Sequence, residues 1–190
     1  MKKLISLVTF FVLILSANTS TLAASSHTVT KGETYWKIAL KHGVPYKQIM
    51  RANNTTSGSL WVGQRITIPA SSVSAAEKDL LARLVEAEAK GEPYAGKVAV
   101  ATVVLNRVDS NIFPNTVRGV IYEAQQFTPV SNGQINKPAS LESKRAVNEA
   151  LAFRGLGKGS LYFFNPAKTS NKWLRSKPVT VVIGNHVFAK

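Results

Sequence analysis

The stretch that decides the fold is Leu80-Leu81-Ala82-Arg83-Leu84-Val85-Glu86-Ala87-Glu88, followed after Gly91 and Pro93 by Gly96-Lys97-Val98-Ala99-Val100-Ala101-Thr102-Val103-Val104-Leu105-Asn106-Arg107. In the first run Leu81, Leu84, Val85 and Glu88 stand at i, i+3, i+4 and i+7, which is one face of a helix. Such a stripe faces a core, and a carboxylate at its end is out of keeping with the other three. Glu86 points elsewhere and is expected in solvent. Gly91 and Pro93 break the helix. The second run is apolar almost all round, so it is buried whatever its conformation. Its β-branched residues would allow a strand, but its length and alanine content favour a central helix.

Towards the C-terminus, Phe113-Pro114-Asn115-Thr116 leads into a helix through Val120 and Tyr122. Gln125 to Pro138 reads as a loop with a turn at Asn132-Gly133. Ser140 starts a helix carrying Ala146, Val147, Ala150, Leu151 and Phe153, which stops at Gly155. The end is β: Leu161 to Phe164 is a strand, and Val179 to Ile183, Gly184-Asn185 and His186 to Phe188 form a hairpin. Residues 75–190 are therefore α+β, with helices first and a small antiparallel sheet last.

Towards the N-terminus, Ala70 to Ala75 is a short small-residue linker, so the units on either side should be near neighbours. Residues 27–70 read as strand, helix, helix, strand. His27-Thr28-Val29 begins them, and Thr34 caps a helix with Trp36, Ile38 and Ala39 that ends at His42-Gly43. Pro45 opens a second helix with Ile49, Met50 and Ala52, and Ile66 and Ile68 share one face of a closing strand. Trp36 and Ile38 read as core.

Before that, Lys2 and Lys3 precede an apolar run from Leu4 to Leu15 and small residues from Ala17 to Ala24. Residues 1–24 have the layout of a secretory signal peptide. An uncleaved anchor is the alternative, but the run is shorter than the roughly 20 residues of a span. The expectation is export, no stable membrane insertion after leader removal, and residence outside the cell or in a wall or spore envelope. No cysteine is present, which excludes disulfides, thiol nucleophiles and thiolate metal sites. The 24 Lys and Arg against 10 Asp and Glu give +14, or +12 once Lys2 and Lys3 leave with the leader. This charge is spread without a dense basic run. It reads as attraction to an anionic envelope rather than a nucleic-acid site, and a monomer is expected.

Metal chemistry is not expected: His27, His42 and His186 are dispersed and no HExxH motif occurs. No phosphate-binding glycine loop or Gly-x-Ser-x-Gly elbow is present either, and no cofactor is implied. Carboxylates remain. Glycoside cleavage needs a carboxyl that stays protonated near neutral pH, which an apolar wall can arrange. Glu88, on an apolar stripe at a helix C-terminus, fits, since the helix dipole also disfavours its charge. A structural ion pair is the competing reading. Glu92 is the only nearby second carboxylate, with a hinge or ion-pair role beside Pro93 as its alternative. Gln126, Thr128 and Tyr162 are polar groups able to orient a sugar, although each taken alone reads as structural before catalytic. His186, beside a hairpin turn, reads as a satisfied structural histidine.

Two resemblances sharpen this. Val29 to Ala39, with Asn53-Asn54 and Val62 to Pro69, resembles a LysM module. That implies a βααβ fold holding N-acetylglucosamine-containing glycans in a shallow groove, here between Gly32 to Thr34 and about Thr55 to Leu60. Gly32, Thr34 and Leu60 are the expected contacts. Ala87-Glu88-Ala89-Lys90-Gly91-Glu92-Pro93 through Ala101, Val104 to Val108, Gln126-Phe127-Thr128 and Ile183 to Phe188 resemble the SleB-type cell-wall hydrolases. That resemblance implies a core similar to lytic transglycosylases and lysozymes, with Glu88 as the catalytic acid. It also implies cleavage of peptidoglycan glycan strands between N-acetylmuramic acid and N-acetylglucosamine, with spore cortex as the substrate of the best-known members. Many relatives carry Arg where Lys90 stands, and several spore enzymes use another wall-binding repeat. A non-catalytic peptidoglycan-binding protein is the competing class. A stem-peptide peptidase lacks its metal ligands and thiol.

Overall fold

The structure is a computed structural model, and it describes residues 24–190. The leader expected over residues 1–24 lies, but for Ala24, outside the described residues.

The first unit pairs strand β1 (Ser25–Thr28) antiparallel with β2 (Arg65–Ile68), around helices α1 (Tyr35–His42) and α2 (Tyr46–Ala52). Thr34 caps α1 by accepting from the Lys37 amide, and Gly43 ends the helix at φ 58°. Asn53 ties the end of α2 to β2: its Nδ2 donates to the Ile49 and Thr67 carbonyls, and its Oδ1 accepts from the Thr67 amide. Val29, Tyr35, Ile38, Ile49, Ile66 and Ile68 form the core. The strand sits slightly earlier than expected, with Val29 beyond its end, and Pro45 caps α2 from outside.

The second unit begins with α3 (Ala75–Glu88) and α4 (Tyr94–Val108). Ser74 and Glu77 close a capping box at the start of α3. Next come α5 (Val117–Tyr122), α6 (Thr128–Ser131), α7 (Leu141–Ala152), β3 (Tyr162–Phe164), α8 (Lys172–Arg175), β4 (Val179–Ile183) and β5 (His186–Ala189). The strands order as β3-β5-β4, all antiparallel, with Phe163 opposite Phe188 and Ile183 opposite His186. Leu81, Leu84 and Val85 of α3, Val100, Val103 and Val104 of α4, and Val147 and Leu151 of α7 make one core. The helix stripe and the central helix are thus as the sequence predicts.

Three local expectations need correction. The segment from Gln125 to Pro138 is not a plain loop: α6 and a turn of 3₁₀ helix at Gln134–Asn136 lie inside it. Both are too short to show a period in sequence. Helix α7 ends at Ala152 rather than Gly155. Glu86 is half-exposed but not left to solvent alone: its carboxylate accepts from the Ser140 amide, and from the Ser140 and Ser143 hydroxyls, at the start of α7.

The two units share packing. Ala152 of α7 is buried in the core of the first unit, and Trp36 of α1 lies against Phe153 with ring centroids 3.9 Å apart. Lys78 Nζ of α3 donates to the His42 and Gly43 carbonyls at the end of α1, and Ser71 Oγ donates to Gly43 as well.

Candidate active site

Glu88 is the last residue of α3. Its stripe mates Leu81, Leu84 and Val85 are wholly buried, while Glu88 itself is half-buried. Among the described residues its carboxylate has no hydrogen-bond or ion-pair partner, so the ion-pair reading has no support. Desolvation without compensating donors pushes its pKa up to about 7. The partial negative charge at the end of α3 acts in the same direction. Near neutral pH the group can therefore both give and take a proton.

Glu92 has the opposite setting. Gly91, at φ 85°, turns the chain so that the Glu92 amide donates to the Ala89 carbonyl at 3.0 Å. The Glu92 carboxylate then accepts from the Asn185 amide at 2.9 Å and from Asn185 Nδ2 at 3.1 Å. Partial desolvation would raise its pKa, but the Asn185 donors outweigh it and hold the group below the ordinary range. Two carboxylates one short turn apart in sequence are thus driven to different protonation states, the usual arrangement for dividing acid and charged roles. Glu92 makes no ion pair among the described residues. It fastens the α3–α4 turn to the β4–β5 hairpin.

His186, first residue of β5, is buried beside that hairpin, between Phe163 and Phe188 at 5.4 and 6.2 Å. Burial lowers its pKa, and the Glu92 charge partly opposes this. Its Nδ1 has no protein partner among the described residues, so it is not the satisfied histidine the sequence suggests.

Arg107 of α4 organises the other side. Its Nε donates to the Leu161 carbonyl at 2.7 Å and its Nη1 to Gln126 Oε1 at 2.9 Å. Its guanidinium lies over Phe113, Phe127 and Tyr162 at 4.7, 5.4 and 5.8 Å. Phe127 in turn stacks on Phe163, which joins this cluster to His186. Gln126 and Tyr162 are therefore brought together through Arg107. Tyr162 also meets Trp173 edge-on at 5.1 Å. Thr128 is exposed at the start of α6 and its hydroxyl has no protein partner among the described residues. The role of Arg107 escaped the sequence reading, and His186 was read there only as a structural histidine. A charge inside an otherwise apolar helix was the available signal for Arg107.

In the first unit, Gly32 turns at φ 79° and its carbonyl accepts from Lys37 Nζ. The Thr34 hydroxyl is engaged in capping α1. Leu60 is half-buried against that unit's core. These contacts give Thr34 and Leu60 a scaffold role.

The sequence profile of the Cell Wall Hydrolase family matches residues 91–189, and that of the LysM domain matches residues 27–69. The chain belongs to the Cell Wall Hydrolase family and carries a LysM domain in front of it. A spore cortex-lytic enzyme of Bacillus cereus is 46% identical over 111 residues, which are 58% of this chain and 43% of that protein. The match thus spans less than half of that relative's length. The cell wall hydrolase CwlJ of Bacillus subtilis is 30% identical over 126 residues, 60% of this chain and 85% of that protein. Among solved structures, the catalytic domain of the germination-specific lytic transglycosylase SleB from Bacillus anthracis superposes with TM-score 0.59 and 43% identity. That likeness covers 63% of this chain and 98% of that one.

Proposed function

We propose that this chain is an exported peptidoglycan-cleaving enzyme that cuts between N-acetylmuramic acid and N-acetylglucosamine as a lytic transglycosylase, with Glu88 as its acid and base. The single observation that carries the reading is the Glu88 carboxyl: half-buried, without a protein partner, and titrating at about 7. A general acid works best when its pKa lies near the working pH. In the first step the protonated Glu88 donates to the glycosidic oxygen, the muramyl C1–O bond breaks, and positive charge develops at C1. The Glu88 carboxylate then takes the proton of the muramyl C6 hydroxyl, and O6 bonds to C1. The ring closes to a 1,6-anhydro sugar, no water is consumed, and Glu88 ends protonated as it began. One essential carboxyl suffices, whereas ordinary glycoside hydrolysis uses two.

Glu92 fits a positioning role in this scheme, since both its oxygens are engaged by Asn185. Gln126, Thr128 and Tyr162 would orient the strand. The LysM domain, with Gly32, Thr34 and Leu60 at its groove, would hold the same polymer. The basic surface favours the anionic wall in which such an exported protein, freed of a leader over residues 1–24, would reside. The LysM unit is read as 27–70 and the catalytic unit as 75–190. The likeness to enzymes named for spore cortex lysis supports a cortex substrate.

The test is mass spectrometry of fragments released from purified vegetative and cortex peptidoglycan. The expected products are anhydromuramyl ends, and Glu88→Gln should lower the rate by roughly 10²- to 10⁴-fold. Reducing ends that carry water would turn attention to Glu92 and a hydrolytic mechanism. Binding without any fragments would leave a wall-binding protein.

A further inference from the structure

Residues 150–190 hold seven Lys and Arg and no Asp or Glu, and among the described residues only Arg154 of the seven makes an ion pair. Four of the others, Lys168, Lys172, Arg175 and Lys177, fall on α8 and the segments either side of it. In their midst Trp173 is 54% exposed. One exposed ring by itself is ordinary. Trp173 has company: it meets Tyr162 edge-on, and Tyr162 meets Phe113 with centroids 6.3 Å apart, so three rings run in a row from α8 to the Arg107 cluster. Lys177 Nζ lies 4.1 Å from the Trp173 ring centre and 5.2 Å from that of Tyr162. Among the described residues it has no hydrogen-bond or ion-pair partner.

The indole is held in place by its surroundings. A four-residue helix has little stability of its own. Arg175 Nη2 donates to the Pro166 and Thr169 carbonyls, and Asn171 Oδ1 accepts from the Leu174 amide at 3.1 Å, which ties α8 to the loop before it. That loop lies towards the α3–α4 turn and the hairpin, since the Lys168 charge bears on both Glu92 and His186.

An exposed indole beside an unpaired cation suits a sugar that carries a carboxylate. The C–H groups on one face of a pyranose ring are apolar and weakly positive, and they rest on the negative face of an aromatic ring. An ammonium within reach takes the carboxylate. We propose that Trp173 and Lys177 form a sugar subsite of the catalytic unit, separate from the LysM groove, where one hexosamine of the strand stacks on the indole and Lys177 binds the carboxylate borne by a muramyl sugar. The inference rests on the reading of this chain as an enzyme of muramyl strands. An exposed cation–π contact is weak, so Lys177 can turn its ammonium to the carboxylate while the sugar takes the ring face. Tryptophan among cations is also the make-up of a membrane-surface contact, but that needs an apolar helix face. Leu174, the one aliphatic residue of α8, is half-buried, which favours the sugar.

The test uses the full chain with Glu88→Gln, which keeps fragments intact, labelled with 5-fluorotryptophan. Trp36 and Trp61 belong to the LysM domain, so sugar bound there moves other fluorine resonances, and Trp173→Phe identifies the resonance of Trp173 by its loss. A peptide-free tetrasaccharide of alternating N-acetylglucosamine and N-acetylmuramic acid, with free lactyl carboxylates, should shift that resonance saturably. A tetramer of N-acetylglucosamine alone should need roughly threefold more ligand for half the shift, the worth of one screened ion pair, and Lys177→Ala should remove the difference. In the enzyme with Glu88 intact, Trp173→Ala should raise KM for soluble strands roughly tenfold with kcat little changed, as covering about 50 Å² of ring implies. Trp173→Phe should recover most of that loss. A Trp173 resonance unmoved by either sugar, or moved by phosphatidylglycerol vesicles and not by sugar, overturns the subsite. An equal response to the two tetramers overturns the part given to Lys177. Fragment release by the unaltered enzyme is a separate measurement: its failure would remove the catalytic reading of Glu88, while the titration alone decides the subsite.

Discussion

The pKa of Glu88 has a consequence for stability. The folded chain keeps this proton up to about pH 7, while an unfolded glutamate releases it near 4.5. Between those values the folded state binds more protons than the unfolded state, so stability falls as pH rises across that window. Above pH 7 the full cost is present, at most about 3 kcal/mol and less where water reaches the carboxyl. Glu88→Gln removes the charge and keeps the shape. It should raise the melting temperature at pH 8 and leave it almost unchanged at pH 4, as read by thermal melts. Equal effects at both pH values would mean that the carboxyl is well solvated. The same titration should make kcat/KM fall as pH rises beyond about 7, since only the protonated acid can donate to the glycosidic oxygen. At this scale sequence was informative for Glu88, because a carboxylate on an apolar stripe is visible as a break in the pattern. It pointed to Glu92 but was silent on what holds it, since the partner Asn185 lies 93 residues away.

Among elements, the helices were the most legible. Thr34 and Ser140 cap helices as read, the stripe of α3 follows the 3.6-residue period, and only the Ser74 cap of α3 went unread inside the linker. The β4–β5 hairpin was also readable, from Gly184-Asn185 between two β-rich runs. Its docking was not. Gly184 lies at φ 56°, and a Cβ there would stand 2.2 Å from Glu92 Oε2 and 2.7 Å from Pro93 Cδ. Gly184→Ala should therefore displace the hairpin from the α3–α4 turn and cost about 2 kcal/mol, from the left-handed backbone and the crowding together. Chemical denaturation would check the cost. An unchanged midpoint would show that the turn can move aside freely. Helices α6 and α8 have four residues each, and such short pieces carry no usable period.

For the whole molecule, the decisive fact is that the LysM domain is not loosely tethered. Ala152 from α7 completes its core, Trp36 packs on Phe153, and Lys78 holds the end of α1. The two domains should consequently melt in one calorimetric transition. Trp36→Ala should weaken their junction by about 2 kcal/mol and separate a lower LysM transition from that of the hydrolase domain. A single unshifted transition in the variant would mean that the ring contact contributes little. The orientation fixed by this junction also sets where a glycan held on the LysM groove can run relative to Glu88.

By itself, the sequence determined the order of elements, the apolar stripe and central helix, the LysM and hydrolase motifs, and the odd carboxylate at the end of α3. These follow from local periodicity, caps and turns, which act over a few residues. Tertiary structure alone decided that Glu92 is held by Asn185, that Arg107 gathers Gln126 and Tyr162, that Glu86 meets Ser140 and Ser143, and that the LysM core borrows Ala152. Each of these depends on groups far apart in the chain, whose meeting is governed by how the hydrophobic faces pack and by which polar groups that packing leaves to be satisfied.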